Sequence, residues 1–167
     1  LTCSLQGVWL TYPTPFNAVL GKSCSEYPSF LCAKTVGGVD FTDYTAISIP
    51  YCTQDVHLGD DPNATYGETT VRHVGAHNIH RTLQWLFANF PNPSDIFLTG
   101  CSAGGTPLPV VYDLINSHYR NTLGEQKVNI DVVSDSPVFL TPSHFLLNYF
   151  PNWNVRTMTE KIGFDFE

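Results

Sequence analysis

A glycine-rich turn most strongly limits what this chain can fold into: residues 100–105 read Gly-Cys-Ser-Ala-Gly-Gly. The turn follows a short apolar run at residues 96–99 and precedes a segment whose apolar residues recur at helical spacing. A sharp strand-to-helix turn of this kind is a nucleophile elbow, which pushes the serine side chain out at the carboxyl end of a sheet. The alternative is a turn that closes a βα unit around a solvent-facing serine. The flanking segments favour the elbow, with Ser102 at its tip.

Strand and helix patterns alternate around this turn. We predict a strand over 45–51, a helix over 68–90, a strand over 96–99, a helix marked by Val110 to His118 and a strand over 128–133. Strands that are joined through helices form a parallel sheet with right-handed crossovers. The sequence therefore predicts an α/β fold, with a mostly parallel sheet and helices on both faces.

The elbow also predicts which groups carry chemistry. A serine hydroxyl is a poor nucleophile unless it is held exposed and a neighbouring base takes its proton. The N–H of the next residue, Ala103, then points at the oxyanion, and such a donor lowers a reaction barrier by about 3 kcal/mol. Ser102 is therefore the candidate nucleophile, Ala103 the candidate oxyanion donor, and Gly104 a candidate substrate-binding residue.

Three motifs in order make the chain similar to a known family, the pectin acetylesterases and Notum-like carboxylesterases. The elbow sequence is one motif. The second is residues 49–56, Ile-Pro-Tyr-Cys-Thr-Gln-Asp-Val, followed by Gly59, and the third is Val-Ser-Asp-Ser at residues 133–136. The resemblance implies an α/β-hydrolase fold, a secreted esterase with a Ser-Asp-His triad, and O-acetyl groups on a polysaccharide as the substrate.

The resemblance also implies that part of the catalytic apparatus is missing from these 167 residues. The family has a Gly-Gly-Gly-Trp-like segment that supplies oxyanion donors, and residues 36–39 do not match it. Asp135 falls on a structural aspartate of the family, so the triad acid is not assigned to it. We expect either a longer polypeptide or other subunits to complete the site. The alternative function is an inactive esterase fold that serves as a binding or structural subunit of an extracellular assembly.

The predicted elements and the family resemblance together indicate one incomplete α/β-hydrolase domain over residues 1–167. Residues 1–40 are rich in Gly, Pro, Ser and Cys and are predicted to be irregular and held by disulfides. Residues 41–140 form the core that contains the elbow, and residues 141–167 are left unassigned.

The histidines offer several weaker candidates. His73, His77 and His80 lie at i, i+4 and i+7 of the predicted helix and could offer a metal three imidazoles. No carboxylate or cysteine accompanies them, which favours an ordinary polar helix face, and we expect no metal and no cofactor. His57 follows the second motif and is a candidate substrate-binding residue.

Two histidines follow the serine, as the base of an α/β-hydrolase does. His118 would lie on the helix that leaves the elbow, at the edge of the core. His144 follows Asp135 in the right order, but the short spacing leaves little room for the intervening elements. The sequence therefore favours a base outside this chain.

Cysteines and a sequon indicate the secretory pathway. Five cysteines are many for a reducing compartment. We predict that Cys101 is free because it lies beside Ser102, where the backbone should be tightly buried. The other four cysteines allow three connectivities, and Cys24–Cys32 is the easiest closure, which leaves Cys3–Cys52. Asn63-Ala64-Thr65 is a sequon in a polar stretch, so Asn63 is the candidate glycosylation site.

Composition excludes two classes of partner. The net charge is −7 and no Lys/Arg cluster occurs, whereas a nucleic-acid partner requires a basic patch. No apolar run approaches the roughly 20 residues that span a bilayer. We therefore expect no nucleic-acid partner and no membrane span.

Overall fold

A computed structural model describes residues 5–11, 35–36, 39–40, 44–124, 128–135 and 152–155. The strands are β1 Leu5–Thr11, β2 Thr35–Val36, β3 Val39–Asp40, β4 Tyr44–Pro50, β5 Asp61–Tyr66, β6 Thr69–His73, β7 Asp95–Cys101 and β8 Asn129–Asp135. The helices are α1 Gly75–Asn89 and α2 Leu108–Leu123, and a short 3-10 turn spans Ser102–Gly104. Within these ranges, no helix is both long and apolar enough to cross a bilayer.

The main sheet has the strand order β4-β1-β7-β8. β7 and β8 are parallel, with Asp95 opposite Asn129 and Cys101 opposite Asp135. β1 lies antiparallel between β4 and β7. The described sheet is therefore mixed rather than mostly parallel, because β1 separates two strands that run in the same direction.

Both helices pack on one face of this sheet. Burial alternates along β4 and β7, so that Ile47 and Ile96 point into the core while their neighbours are only partly buried. The rings of Phe87 on α1 and His118 on α2 stack with centroids 3.6 Å apart, which places the two helices side by side. The prediction of helices on both faces is thus met on one face only within the described ranges.

The core lies between the sheet and the two helices. Its buried residues are Ile47, Ile49, Ile79, Leu83, Leu86, Phe90, Ile96, Leu98, Leu108, Val111, Ile115 and Tyr119. The Tyr119 hydroxyl donates a hydrogen bond to the carbonyl oxygen of Phe90 at 2.7 Å, and burial raises the pKa of this phenol. Tyr119 therefore remains a donor, and it ties α2 to the carboxyl end of α1.

The prediction of an irregular segment over residues 1–40 is wrong where the structure describes that segment. Residues 5–11 form β1, which pairs on both sides within the main sheet. β2 and β3 pair antiparallel with each other. The Gly, Pro and Cys residues of the region suggested irregular structure. However, residues 8–11, Val-Trp-Leu-Thr, have the β-branched and aromatic side chains that are typical of a strand.

The predicted helix over 68–90 begins later, at Gly75. β5 and β6 form a hairpin upstream of it, with Tyr66 opposite Thr69 across the turn at Gly67-Glu68, where Gly67 has φ 61°. Val71 and Val74 fall by chance on the helical spacing of α1. The β-branched sequence Thr-Thr-Val at residues 69–71 pairs with β5 instead.

The remaining elements lie close to their predicted positions. β4 is shifted by one residue from the predicted 45–51, β7 extends beyond the predicted 96–99 at both ends, and β8 begins one residue later and ends two residues later than the predicted 128–133. α2 begins directly after Pro107, as expected for a proline in a first turn, where N–H groups have no intrahelical acceptor. The order strand, helix, strand, helix, strand from β4 to β8 is as predicted, and β5 and β6 are added to it.

Candidate active site

The chain bends sharply at Ser102, between β7 and the 3-10 turn. Cys101 is still extended, whereas Ser102 has φ 54°, a left-handed conformation that L-residues rarely adopt. Left-handed backbone costs an L-residue about 1–2 kcal/mol, so the surrounding structure must hold it in place. Ser102 is exposed at this bend, while Gly104 and Gly105 behind it are buried.

Two glycines allow the bend to close. A Cβ on Gly100 would lie 2.1 Å from the carbonyl oxygen of Gly104, so the strand and the turn touch through their backbones. A Cβ on Gly105 would lie 2.6 Å from Ser134 Oγ and 3.1 Å from the carbonyl oxygen of Gly100. Real Cβ atoms do not approach backbone atoms as closely as at Gly100, so this position requires glycine, whereas a Cβ on Gly105 would require the Ser134 hydroxyl to rotate and the Gly100 carbonyl to shift slightly.

The end of β8 supports the turn from the side. Gly100 is opposite Ser134 and Cys101 is opposite Asp135 in the parallel register. The Ser134 hydroxyl donates to the carbonyl oxygen of Gly105 at 3.0 Å. Asp135 is exposed at the carboxyl end of β8, beside the elbow. The third sequence motif therefore lies next to the elbow in the structure.

Backbone hydrogen bonds close the turn and leave the serine hydroxyl available. The carbonyl oxygen of Ser102 accepts the N–H of Gly105 at 2.9 Å and the hydroxyl of Thr106 at 3.3 Å. The N–H of Ala103 lies in the first turn of the helical segment, where N–H groups have no intrahelical acceptor. This geometry matches what an elbow requires: an exposed hydroxyl followed by an N–H group at the start of a helix.

A second structural unit, the loop at residues 51–60, follows β4. Asp55 is fully buried in it, with 0% of its surface exposed. Its carboxylate accepts hydrogen bonds from the Thr53 hydroxyl at 2.5 Å, the His57 N–H at 3.1 Å and the Gly75 N–H at 2.7 Å. The last of these N–H groups begins α1, so Asp55 caps a helix that starts 20 residues later.

The backbone of this loop is held in an uncommon conformation. Gln54, Val56 and His57 all have positive φ values, of 54°, 47° and 60°. Such a conformation is particularly unfavourable for the β-branched Val56. The N–H of Val56 donates to the Tyr51 hydroxyl at 2.9 Å, and the Leu58 N–H donates to the carbonyl oxygen of Asp55 at 3.0 Å. These bonds offset the local strain.

His57 is buried rather than open to solvent, with 1% of its surface exposed. Its ring lies 4.7 Å from the ring of Tyr51, and within the described residues its Nε2 atom has no hydrogen-bond partner. Loss of hydration lowers the pKa of His57 from 6.5 to about 4, so the ring is neutral at physiological pH. Its role in binding substrate stays a prediction.

A small apolar cluster connects this loop to the elbow. The cluster contains Val56, Leu58, Val110, Trp153 and Val155, and Ala103 packs against it. The N–H of Asp60 donates to the carbonyl oxygen of Trp153 at 2.8 Å, which fixes the segment 152–155 on the loop. The residue that follows the serine is therefore packed against the cluster to which the loop residues Val56 and Leu58 belong.

The pectinacetylesterase family model matches residues 19–161, most of the chain and including the elbow, the loop and β8. The chain belongs to the pectinacetylesterase family. This confirms the family that the three motifs predicted, and the α/β character of the described elements agrees with the α/β-hydrolase-like fold of the family. No curated protein and no solved structure gives a significant match.

The histidines of this pectinacetylesterase family member do not form the predicted helix face. His73 lies in β6, where its Nδ1 contacts the carbonyl oxygen of Thr53 at 2.8 Å and its Nε2 contacts the Tyr66 hydroxyl at 2.9 Å. His77 and His80 are exposed on α1. The three imidazoles therefore do not share a helix face, because residue 73 is in a strand.

His118 does not lie near the serine. It is ten residues beyond the start of α2, which corresponds to about 15 Å along the helix. Its ring stacks on Phe87, and burial there lowers its pKa. The structure thus gives His118 a packing role, and His144 lies outside the described residues.

Cys101 is a free thiol, as predicted, but it is exposed rather than buried. The predicted bridges Cys24–Cys32 and Cys3–Cys52 involve residues outside the described ranges. Asn63 and Thr65 are exposed in the β5–β6 hairpin, where Thr65 Oγ1 donates to the carbonyl oxygen of Asn63 at 3.3 Å. The sequon is accessible at its predicted place.

Sequence reasoning missed the buried role of Asp55. The residue was part of a recognised motif, but its partner Gly75 is 20 residues away, inside a segment predicted to be mid-helix. One signal could have found it: a lone acidic residue beside the apolar Val56 and Leu58 must be paired if it is buried.

Proposed function

We propose that this protein is a serine carboxylesterase that removes O-acetyl groups from a polysaccharide, with Ser102 as the nucleophile. Two observations support the proposal. The chain belongs to the pectinacetylesterase family, and the exposed Ser102 stands at a strained bend between a strand and a helical turn. The bend is the observation that carries it, because strained serines of this kind occur where a reacting hydroxyl must be presented.

The proposed reaction has two steps. Ser102 Oγ attacks the acetyl carbon, a histidine base outside the described residues takes the hydroxyl proton, and the Ala103 N–H donates to the oxyanion. The base returns the proton to the sugar oxygen as the ester bond breaks, which leaves an acetyl-serine. Water then attacks this intermediate, releases acetate and restores the hydroxyl. Gly104 would let the acyl group approach the backbone behind Ser102.

A fluorophosphonate probe tests the nucleophile. We expect the full natural protein to form one covalent adduct, and Ser102→Ala to form none, because the probe reacts with activated serines only. Intact-mass measurement before and after labelling gives the stoichiometry, and acetate release from acetylated pectin gives the activity. Ser134→Ala is the control, since it removes a nearby hydroxyl that is engaged with Gly105; it should still label. Equal labelling of wild type and Ser102→Ala would refute the assignment of Ser102.

A different function would follow if the wild-type protein neither labels nor releases acetate. The chain would then be an inactive member of the family that binds a polysaccharide or other subunits of an extracellular assembly. Binding of acetylated pectin without turnover, measured by calorimetry, distinguishes this alternative from a misfolded preparation.

We further propose that the protein is secreted and carries a glycan on Asn63. The support is the exposure of both Asn63 and Thr65 in a hairpin, together with five cysteines. When the protein is expressed through the secretory pathway of eukaryotic cells, an N-glycosidase should lower its mass, and Asn63→Gln should remove that difference. An unchanged mass of the wild-type protein after treatment would rule out the glycan.

A further inference from the structure

The loop at residues 51–60 combines two features that rarely occur together without a functional reason. Three of its four consecutive residues from Gln54 to His57 have positive φ values, although none is glycine. The fourth, Asp55, is fully buried and uses both carboxylate oxygens to hold neighbouring groups. Strained backbone persists only where the surrounding structure over-determines it, and it concentrates at functional sites.

The protein is shaped around this carboxylate. A Cβ on Gly59 would lie 2.5 Å from Asp55 Oδ2. A Cβ on Gly75 would lie 2.4 Å from Asp55 Oδ1 and 2.5 Å from His57 Cα. The backbone at Gly59 and at Gly75 therefore approaches the Asp55 carboxylate more closely than a side chain at either position would allow. Asp55 joins the strained loop to the start of α1 at a single point.

The loop that Asp55 holds reaches the elbow through its apolar side chains. Val56 and Leu58, on either side of His57, belong to the cluster against which Ala103 packs. Val110 on α2 belongs to the same cluster, so the start of α2 rests on the loop as well. A shift of the loop would therefore be transmitted to Ala103, whose N–H is the candidate oxyanion donor.

We propose that Asp55 is a positioning residue for the esterase reaction: it fixes the loop that sets the orientation of Ala103, and hence of the oxyanion donor. This inference rests on the proposed function. Asp55 does not touch the reacting atoms, and its effect passes through Val56 and Leu58. Small displacements of a catalytic group by remote changes slow a reaction by up to about 100-fold.

Asp55→Asn is the variant that tests this role. The amide has the shape of the carboxylate but replaces one oxygen with an NH2 group, which then faces the N–H of either His57 or Gly75. We expect kcat for acetate release, and the rate constant for fluorophosphonate labelling, to fall about 10-fold to 100-fold, with KM unchanged. Asp55 has no exposed surface and therefore does not contact the sugar itself, so the loss is expected in kcat rather than in KM.

Tyr119→Phe is the matched control for stability. It also removes one buried hydrogen bond, to the carbonyl oxygen of Phe90, but at the opposite end of α2 from the elbow. Both variants are compared with wild type at a temperature well below their unfolding midpoints. The proposal predicts a loss of kcat in Asp55→Asn and none in Tyr119→Phe.

Each outcome of this comparison decides a separate question. Equal kcat and labelling rates in wild type and Asp55→Asn, when both are folded by circular dichroism, would overturn the positioning role. The same loss in both variants would show that general stability, not position, is responsible, and would also overturn it. A wild type without activity or labelling would refute the proposed function instead. If Asp55→Asn does not fold, Val56→Ala, which shortens the connection to Ala103 and leaves the carboxylate in place, should show the same selective loss of kcat.

Discussion

Replacing Gly100 with alanine is expected to destabilise the protein by about 3 kcal/mol or more and to abolish labelling of Ser102. The added Cβ would lie 2.1 Å from the carbonyl oxygen of Gly104, 2.5 Å from the carbonyl carbon of Gly104 and 3.0 Å from the N atom of Gly105. All three are backbone atoms, so no side chain can rotate away. The bend must open, and the Ser102 hydroxyl would then leave its place relative to Ala103.

Gly67→Ala is the matched control for this substitution. Gly67 has φ 61°, a left-handed conformation that is also unfavourable for alanine, but nothing lies within 4 Å of a Cβ at this position. Its cost is that of left-handed backbone alone, about 1 kcal/mol, and the variant should label normally. Urea unfolding measures both free energies, and intact-mass analysis measures labelling. If Gly100→Ala lost no more stability than Gly67→Ala, the close contact between strand and turn would not exist.

The elbow was predictable from sequence because the steric demand is local. Gly100 and Gly104 are four residues apart, and the bend between them depends on their size and on the apolar strand before them. The loop at residues 51–60 was recognisable as a motif, yet its construction was not. The Asp55 carboxylate is satisfied by a residue 20 positions away, which no local pattern reveals.

β1 and the β5–β6 hairpin show a second limit of sequence reasoning. β1 pairs with β4, which lies about 40 residues away in the sequence, and with β7, which lies about 90 residues away. In the hairpin, helical spacing of Val71 and Val74 competed with β-branched residues on each side of a turn at Gly67. Residues 69–73 form a strand because they pair with β5, and the spacing of apolar residues alone does not reveal such pairing.

The candidate site therefore depends on two unlike devices. The elbow is held by close backbone contacts, which allow no side chain at Gly100. The loop is held by the buried Asp55 side chain, which accepts three hydrogen bonds. Ala103 lies next to the serine and packs against the apolar cluster, so the positioning role proposed for Asp55 makes its orientation depend on both. His57 is part of the same loop, and its titration should report whether the loop is intact.

Acidification is expected to destabilise the wild-type protein through His57. In the folded state, burial lowers the pKa of this histidine to about 4, while in the unfolded chain it returns to 6.5. Between these values the unfolded chain binds the proton and the folded protein does not. The contribution of neutral His57 to stability is therefore present above about pH 6.5 and is lost as the pH falls towards about 4, by at most about 3 kcal/mol.

His57→Asn isolates this effect, because asparagine does not titrate and tolerates the positive φ of 60° at this position. The free energy of unfolding of wild type minus that of His57→Asn should be constant above about pH 6.5 and should fall steadily below it. Urea titrations at several pH values across this window provide the measurement, and His57→Gln should give the same profile with a different constant offset. Loss of hydration on burial is the cause of the lowered pKa of His57. A difference that did not change with pH would mean that water reaches the imidazole, and that the loop beside the elbow is not closed around it.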